Sequence, residues 1–253
     1  MKQKLLFIFS VFLSCILSYA QEVNDDGLLY HNGLLSLTYT KAIYKNDTIY
    51  NAHKEEQKVL KDGGAQELLK EGVKPYVNIK YVPISLIGNI LSYERMQDDY
   101  WGGVIGISSA ISVINVATQE PYSVLNIVEE ASLLKAIKND TYVTNSSGVD
   151  STKLQQAKTF EDVLTLLNDQ LQYPSTHFTL YSYAILDYNK TENKLALRLI
   201  RKKSYSHLPS FLQLGIKVTP NKEFAEKLKQ NNNFYMGTFL KGRVTHQSFY
   251  KKF

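Results

Sequence analysis

Apolar and polar positions change period several times along the chain, and each change marks an expected element. Residues 28–50 are rich in Leu, Tyr, Thr and Ile, with Asn32-Gly33 and Asn46-Asp47 as turn signals, which predicts two or three short strands. Residues 53–71 are charged and poor in β-branched types; Val59, Leu60, Leu68 and Leu69 allow a helix that Gly63-Gly64 would break or end. Residues 75–93 read as strands, with Pro83 arguing for an edge position or a bulge and Gly88-Asn89 lying inside the second run. Residues 107–116 alternate with a period of two, as a strand buried on one face does.

A helix is expected over 123–138, with Ser123 as its cap, and a polar exposed connection over 139–158. A second helix over 159–171 starts on Thr159-Phe160-Glu161-Asp162, a capping box with Asp in the Glu position, and buries Val163, Leu166, Leu167 and Leu171. Strands over 177–187, 193–203 and 212–218, a short helix over 221–230, and one or two closing strands over 234–249 complete the pattern. Long βαβ alternation is missing. The fold class predicted is therefore α+β, a mainly antiparallel sheet with two to four packing helices.

The first twenty residues follow a different logic. Lys2 and Lys4 precede an apolar run, Leu5 to Leu17, and Ser18-Tyr19-Ala20 places small residues before Gln21. That is the layout of a secretory signal peptide over 1–20, so an exported chain, periplasmic or extracellular, is expected. The competing readings are an uncleaved anchor and a lipoprotein joined at Cys15. Cys15 is the only cysteine, so a chain cleaved after Ala20 has no disulfide, no thiol nucleophile and no thiolate metal site. Its stability must come from a buried core.

Charge is uneven. Residues 193–253 hold 13 lysines and arginines against two acids, whereas residues 21–192 hold 14 against 22. Either the two parts neutralise one another, or the basic C-terminal part meets an anionic membrane or polysaccharide. Nucleic acid is not an expected partner of an exported chain.

Catalytic signatures are missing from the sequence. There is no Walker loop, dinucleotide fingerprint, Gly-X-Ser-X-Gly elbow or His-Glu-X-X-His helix. His31, His53, His177, His207 and His246 are far apart, so no metal and no cofactor are expected. Asp98-Asp99 and Glu129-Glu130 are paired acids, but adjacent carboxylates tend to point to different sides. A glycosidase needs two carboxyls facing each other across a gap.

The stretch Asp98-Asp99-Tyr100-Trp101-Gly102-Gly103-Val104-Ile105-Gly106 carries the strongest local signal. Three glycines between two strands read as a tight or bulged connection, which Trp101, the sole tryptophan, can cover. A phosphate cradle would need a helix N-terminus after it, and a strand follows. Together with Ile90-Leu91-Ser92-Tyr93, Ile111 to Ala117, Ser123 to Val128 and His177-Phe178-Thr179-Leu180, this stretch resembles the RsiV-type domain. That domain occurs in lysozyme-sensing anti-sigma-factor ectodomains and beside the catalytic domain of some peptidoglycan deacetylases. The resemblance implies a division into a strand-rich portion at 21–75 and an RsiV-like α+β domain at 76–253 with the basic part at its end. It also implies a non-enzymatic binding module of the cell envelope, recognising lysozyme or a cell-wall glycan. The candidate binding residues are Asp98, Asp99, Tyr100, Trp101, Gly102, Gly103 and Gly106. Where the family often has Ala-His inside the glycine turn, this chain has Val104-Ile105, so any role of that histidine is lost. The alternative function is an envelope-polymer hydrolase using a carboxylate pair assembled in the fold.

Overall fold

The structure, a computed structural model, describes residues 28–103, 105–145, 149–170, 178–200 and 213–230. The signal peptide expected over 1–20, Val104, His177, His207, His246, residues 201–203 and the closing strands expected over 234–249 lie outside the described residues. Among the described residues, three antiparallel sheets and seven helices make the expected α+β fold.

The first sheet is a meander of four short strands, one or two more than the pattern predicts: β1 (Tyr30–His31), β2 (Leu35–Leu37), β3 (Lys41–Tyr44) and β4 (Asp47–Asn51). Asn32 Oδ1 accepts from the backbone N–H groups of Leu34 (3.0 Å) and Leu35 (2.7 Å), which closes the first turn. Asn51 then caps α1 (Ala52–Asp62) by accepting from Lys54 N at 3.1 Å. Gly63-Gly64 separates α1 from α2 (Ala65–Lys70), as the sequence requires, with Gly64 at φ +74°.

Three long strands form the centre of the molecule: β5 (Tyr76–Ile87), β6 (Ile90–Tyr100) and β7 (Ile105–Asn115), with the two-residue β8 (Glu120–Pro121) beyond β7. The β5–β6 hairpin turns at Gly88-Asn89, where Gly88 takes φ +57°. Pro83 sits on the edge strand β5 beside a bulge between Pro83 and Ser85. The expected connection at 98–106 is shorter than predicted. Asp98, Asp99 and Tyr100 belong to β6 and pair with both neighbours, because the ladder to β5 and β7 continues through them.

The helix expected over 123–138 is split. Ser123 caps only the 3-10 turn Val124–Asn126, and α3 (Glu130–Lys138) starts after Val128 bridges Pro220 and Glu129 N donates to Thr219 O at 3.0 Å. The polar connection at 139–158 contains α4 (Thr141–Asn145) and α5 (Ser151–Gln156). Asp140 accepts from Val143 N and Asp150 from Thr152 and Lys153 N, so the polar residues are caps, while Val143 and Leu154 are buried. In α6 (Phe160–Gln170) the predicted capping box forms: Thr159 Oγ1 accepts from Asp162 N (3.1 Å) and Asp162 Oδ2 from Thr159 N (2.9 Å). The third sheet, ordered β11-β10-β9, comprises β9 (Tyr183–Asn189), β10 (Lys194–Ile200) and β11 (Gln213–Val218); α7 (Lys222–Gln230) follows, capped by Asn221.

Side chains on the two faces of the central sheet enter different cores. One face carries Val77, Ile79, Tyr81 and Leu91 into a core shared with β2, β4 and α1, where the Tyr50 and Tyr81 rings stack 4.1 Å apart. The other face, at the hairpin end, places Ile87, Ile90 and Val113 in the main core with helices α3 to α7 and strands β9 to β11. The far end of the same sheet, at Tyr76, Tyr100 and Ile105, reaches beyond this packing.

Candidate functional site

The register of the central sheet sorts its side chains into rows. On the face that meets the main core at the hairpin end, consecutive rows read Tyr76–Tyr100–Ile105, Asn78–Asp98–Ile107, Lys80–Met96–Ser109 and Val82–Glu94–Ile111. Rows are two residues apart, about 7 Å. The outermost row is the exposed one: Tyr76 is 36% and Ile105 53% accessible. The Tyr76 and Tyr100 rings stack with centroids 6.0 Å apart and planes at 23°, giving a flat aromatic step beside an exposed isoleucine.

Behind this step the surface turns polar and closes. Asp98 is buried and accepts from Asn78 Nδ2 at 3.0 Å. Burial pushes its carboxyl above the ordinary aspartate range; the hydrogen bond from Asn78 and the charge of Lys80 pull it partly back. The same acid, with burial first, raises the Tyr76 hydroxyl. One row further in, Ser109 Oγ donates to Glu94 Oε1. The aromatic platform presents an apolar face, and behind it the buried Asp98 carboxylate is satisfied by Asn78 within the sheet. That face suits a sugar ring or a cationic side chain lying on the tyrosines.

Asp99 points the other way, as alternation in a strand demands. It lies under α1 at the end of a relay on one face of β6. Glu55 of α1 accepts from Arg95 Nε (2.8 Å), Arg95 Nη2 donates to Gln97 Oε1 (2.6 Å), and Gln97 Nε2 donates to Asp99 Oδ2 (2.6 Å). Tyr81 OH donates to Glu55 Oε2; burial, then this acceptor, raise its hydroxyl above the tyrosine range and keep it a donor. Opposite this relay β7 offers Gly106, Ser108 and Ala110, small residues beside the long Arg95 and Gln97.

The remaining candidates are tied to packing. The Trp101 ring lies on Gly63: a Cβ there would come 2.4 Å from Trp101 Cη2. Gly102 takes φ +91°, and a Cβ on it would meet Val73 Cγ1 at 2.9 Å. Trp101 therefore fastens the β6–β7 connection to the α1–α2 corner, and Gly102 packs it on the α2–β5 connection. Gly103 has open space around it, and Gly106 pairs with Asp99 in the ladder.

The structure thus brings Asp98 and Tyr100 together on one surface and sends Asp99 and Trp101 to the other side. The sequence pattern missed Tyr76, Asn78, Ile105 and the Glu55–Arg95–Gln97 relay. The signal for the relay is the alternate spacing of Arg95, Gln97 and Asp99; the partners on β5 and α1 depend on pairing that no local pattern specifies. Glu129 and Glu130 make no acid pair: Glu130 Oε1 accepts from Phe160 N at 2.7 Å and holds the start of α6. Among the described residues no group of His, Cys, Asp and Glu could hold a metal ion.

No family model, no curated protein and no solved structure matches this chain.

Proposed function

We propose that the chain is an exported binding module of the cell envelope, and that the Tyr76–Tyr100–Ile105 row with Asp98 and Asn78 is its recognition surface for lysozyme or a cell-wall glycan. The observation that carries this reading is a stacked tyrosine pair on the sheet, Tyr76 exposed and Tyr100 half-buried, directly in front of the buried Asp98. Single exposed apolar residues need no explanation, but a stacked aromatic pair beside an exposed isoleucine is the kind of side-chain group that anchors interfaces. The RsiV-type resemblance of 90–106 and of the later segments supports the same class of function, and the acidic balance of residues 21–192 suits a basic protein partner.

The hydrolase alternative finds no support in the site. Asp98 and Asp99 diverge, and the backbones of Asp98 and Glu94, on one face, are two rows or about 13 Å apart, each carboxylate held by a neighbour, Asn78 and Ser109. The function is tested by passing lysozyme and, separately, soluble peptidoglycan fragments over the immobilised chain at low and high salt. Retention of either supports the proposal, with lysozyme binding weakening as salt rises. Failure to retain either, with the fold intact, removes it.

A further inference from the structure

The two edges of the central sheet differ. Along β5 the outward backbone groups are occupied: Ile79 N donates to Glu56 Oε1 (2.7 Å), Tyr81 N donates to Tyr39 O (2.7 Å), and Pro83 has no N–H. Along β7 the outward groups follow from one bond. Tyr122 N donates to Val113 O at 2.8 Å, on the side of β7 away from β6. The β6–β7 register runs without a shift, so Ile105, Ile107, Ser109 and Ile111 aim their N–H and C=O groups to that same side. β8 reaches only Ile114 and Asn115. Over Ile105 to Ile111 no strand or side chain caps this edge among the described residues.

The stretch Ile105-Gly106-Ile107-Ser108-Ser109-Ala110-Ile111-Ser112 holds no charge and no proline, and it contains no bulge. Those are the devices by which lone sheets keep their edges single. We infer that β7 is a homodimer seam, pairing antiparallel with β7 of a second copy of the chain. Outward groups lie on odd-numbered residues, so a two-fold axis at Ser108 sets Ile105 opposite Ile111 and Ile107 opposite Ser109, each pair exchanging two backbone hydrogen bonds. A second copy fits better than a charged foreign strand because the seam places no charge against charge. On one face Gly106, Ser108 and Ala110 meet without crowding; on the other the exposed Ile105 comes beside Ile111, whose side chain is itself buried against Ala184 and Ile200. Ser108 faces its own copy in a non-hydrogen-bonded pair, with Cα atoms about 4.5 Å apart. That spacing accepts a disulfide.

The test uses the full chain with Cys15→Ser and one added cysteine. Ser108→Cys should give a disulfide-linked dimer under mild oxidation, while Ala110→Cys, whose copies lie about 13 Å apart along the seam, should not. Ile107→Pro removes an outward N–H and leaves the β6 ladder whole, so it should sediment as a monomer. Ile107→Lys serves the same comparison if the proline variant loses its strand signal. Tyr100→Ala should leave the dimer intact, because Ile105 is the one residue of the recognition row that lies on the seam. A parent chain that sediments as a monomer at high micromolar concentration, equal cross-linking at 108 and 110, or a dimer that survives both Ile107 variants would overturn the inference.

Discussion

Asp98 is ionised at a cost to the fold. Burial raises its pKa above the unfolded value, against the pull of Asn78 and Lys80. A raised acid binds its proton more tightly in the native state, so its contribution is fullest below the unfolded aspartate range and is lost as pH rises through the folded value. Asp98→Asn should therefore melt higher than the parent at neutral pH, with the gap closing as the pH falls toward about 4. Thermal scans across that range check it; an asparagine variant that melts lower throughout would mean that the charge stabilises. At the opposite side of the turn, Gly63→Ala forces the Trp101 ring off its seat. A cost of about 1–3 kcal/mol is expected, as for an overpacked core. Because Trp101 is the only tryptophan, a red shift of its emission in the native state would report the displacement directly.

At the scale of elements, α1 is fixed to the sheet by the relay from Glu55 through Arg95 and Gln97 to Asp99 as well as by Val59 and Leu60. Arg95→Met keeps the stem and removes every donor. It should cost about 1–2 kcal/mol, chiefly because Gln97 and Glu55 lose a charge-assisted partner. Denaturant unfolding with Glu55→Gln and the double variant gives the coupling; strictly additive single losses would show that the relay carries nothing. The elements themselves differed in how far they could be read. The Thr159 capping box, the Gly63-Gly64 break and the edge position of Pro83 were legible because each rests on one local backbone requirement. The split of the helix expected over 123–138 was not, since it depends on Val128 reaching Pro220, more than ninety residues away. The helices α4 and α5 were hidden because Asp140 and Asp150 look like loop residues until the N–H groups that they cap are known.

At the scale of the molecule, the central sheet does two jobs. Its hairpin end is buried in the main core, and its other end carries the tyrosine step outward. The sequence singled out 98–106 but could not divide it. Only strand pairing shows that Asp98 and Tyr100 share a surface with Tyr76 and Asn78, while Asp99 and Trp101 turn beneath α1 and α2. A stacked tyrosine pair, one ring exposed and one half-buried, on a sheet that is packed at its other end offers contact area with little conformational entropy to lose. The measurement that tests this most directly is the affinity for lysozyme, and for a soluble peptidoglycan fragment, of the parent chain and of Tyr76→Ala/Tyr100→Ala. Whichever ligand binds the parent should lose at least about tenfold in affinity, an aromatic hot spot being worth upward of about 1.4 kcal/mol, with the melting temperature little changed. A variant that stays folded and binds as tightly as the parent would contradict it.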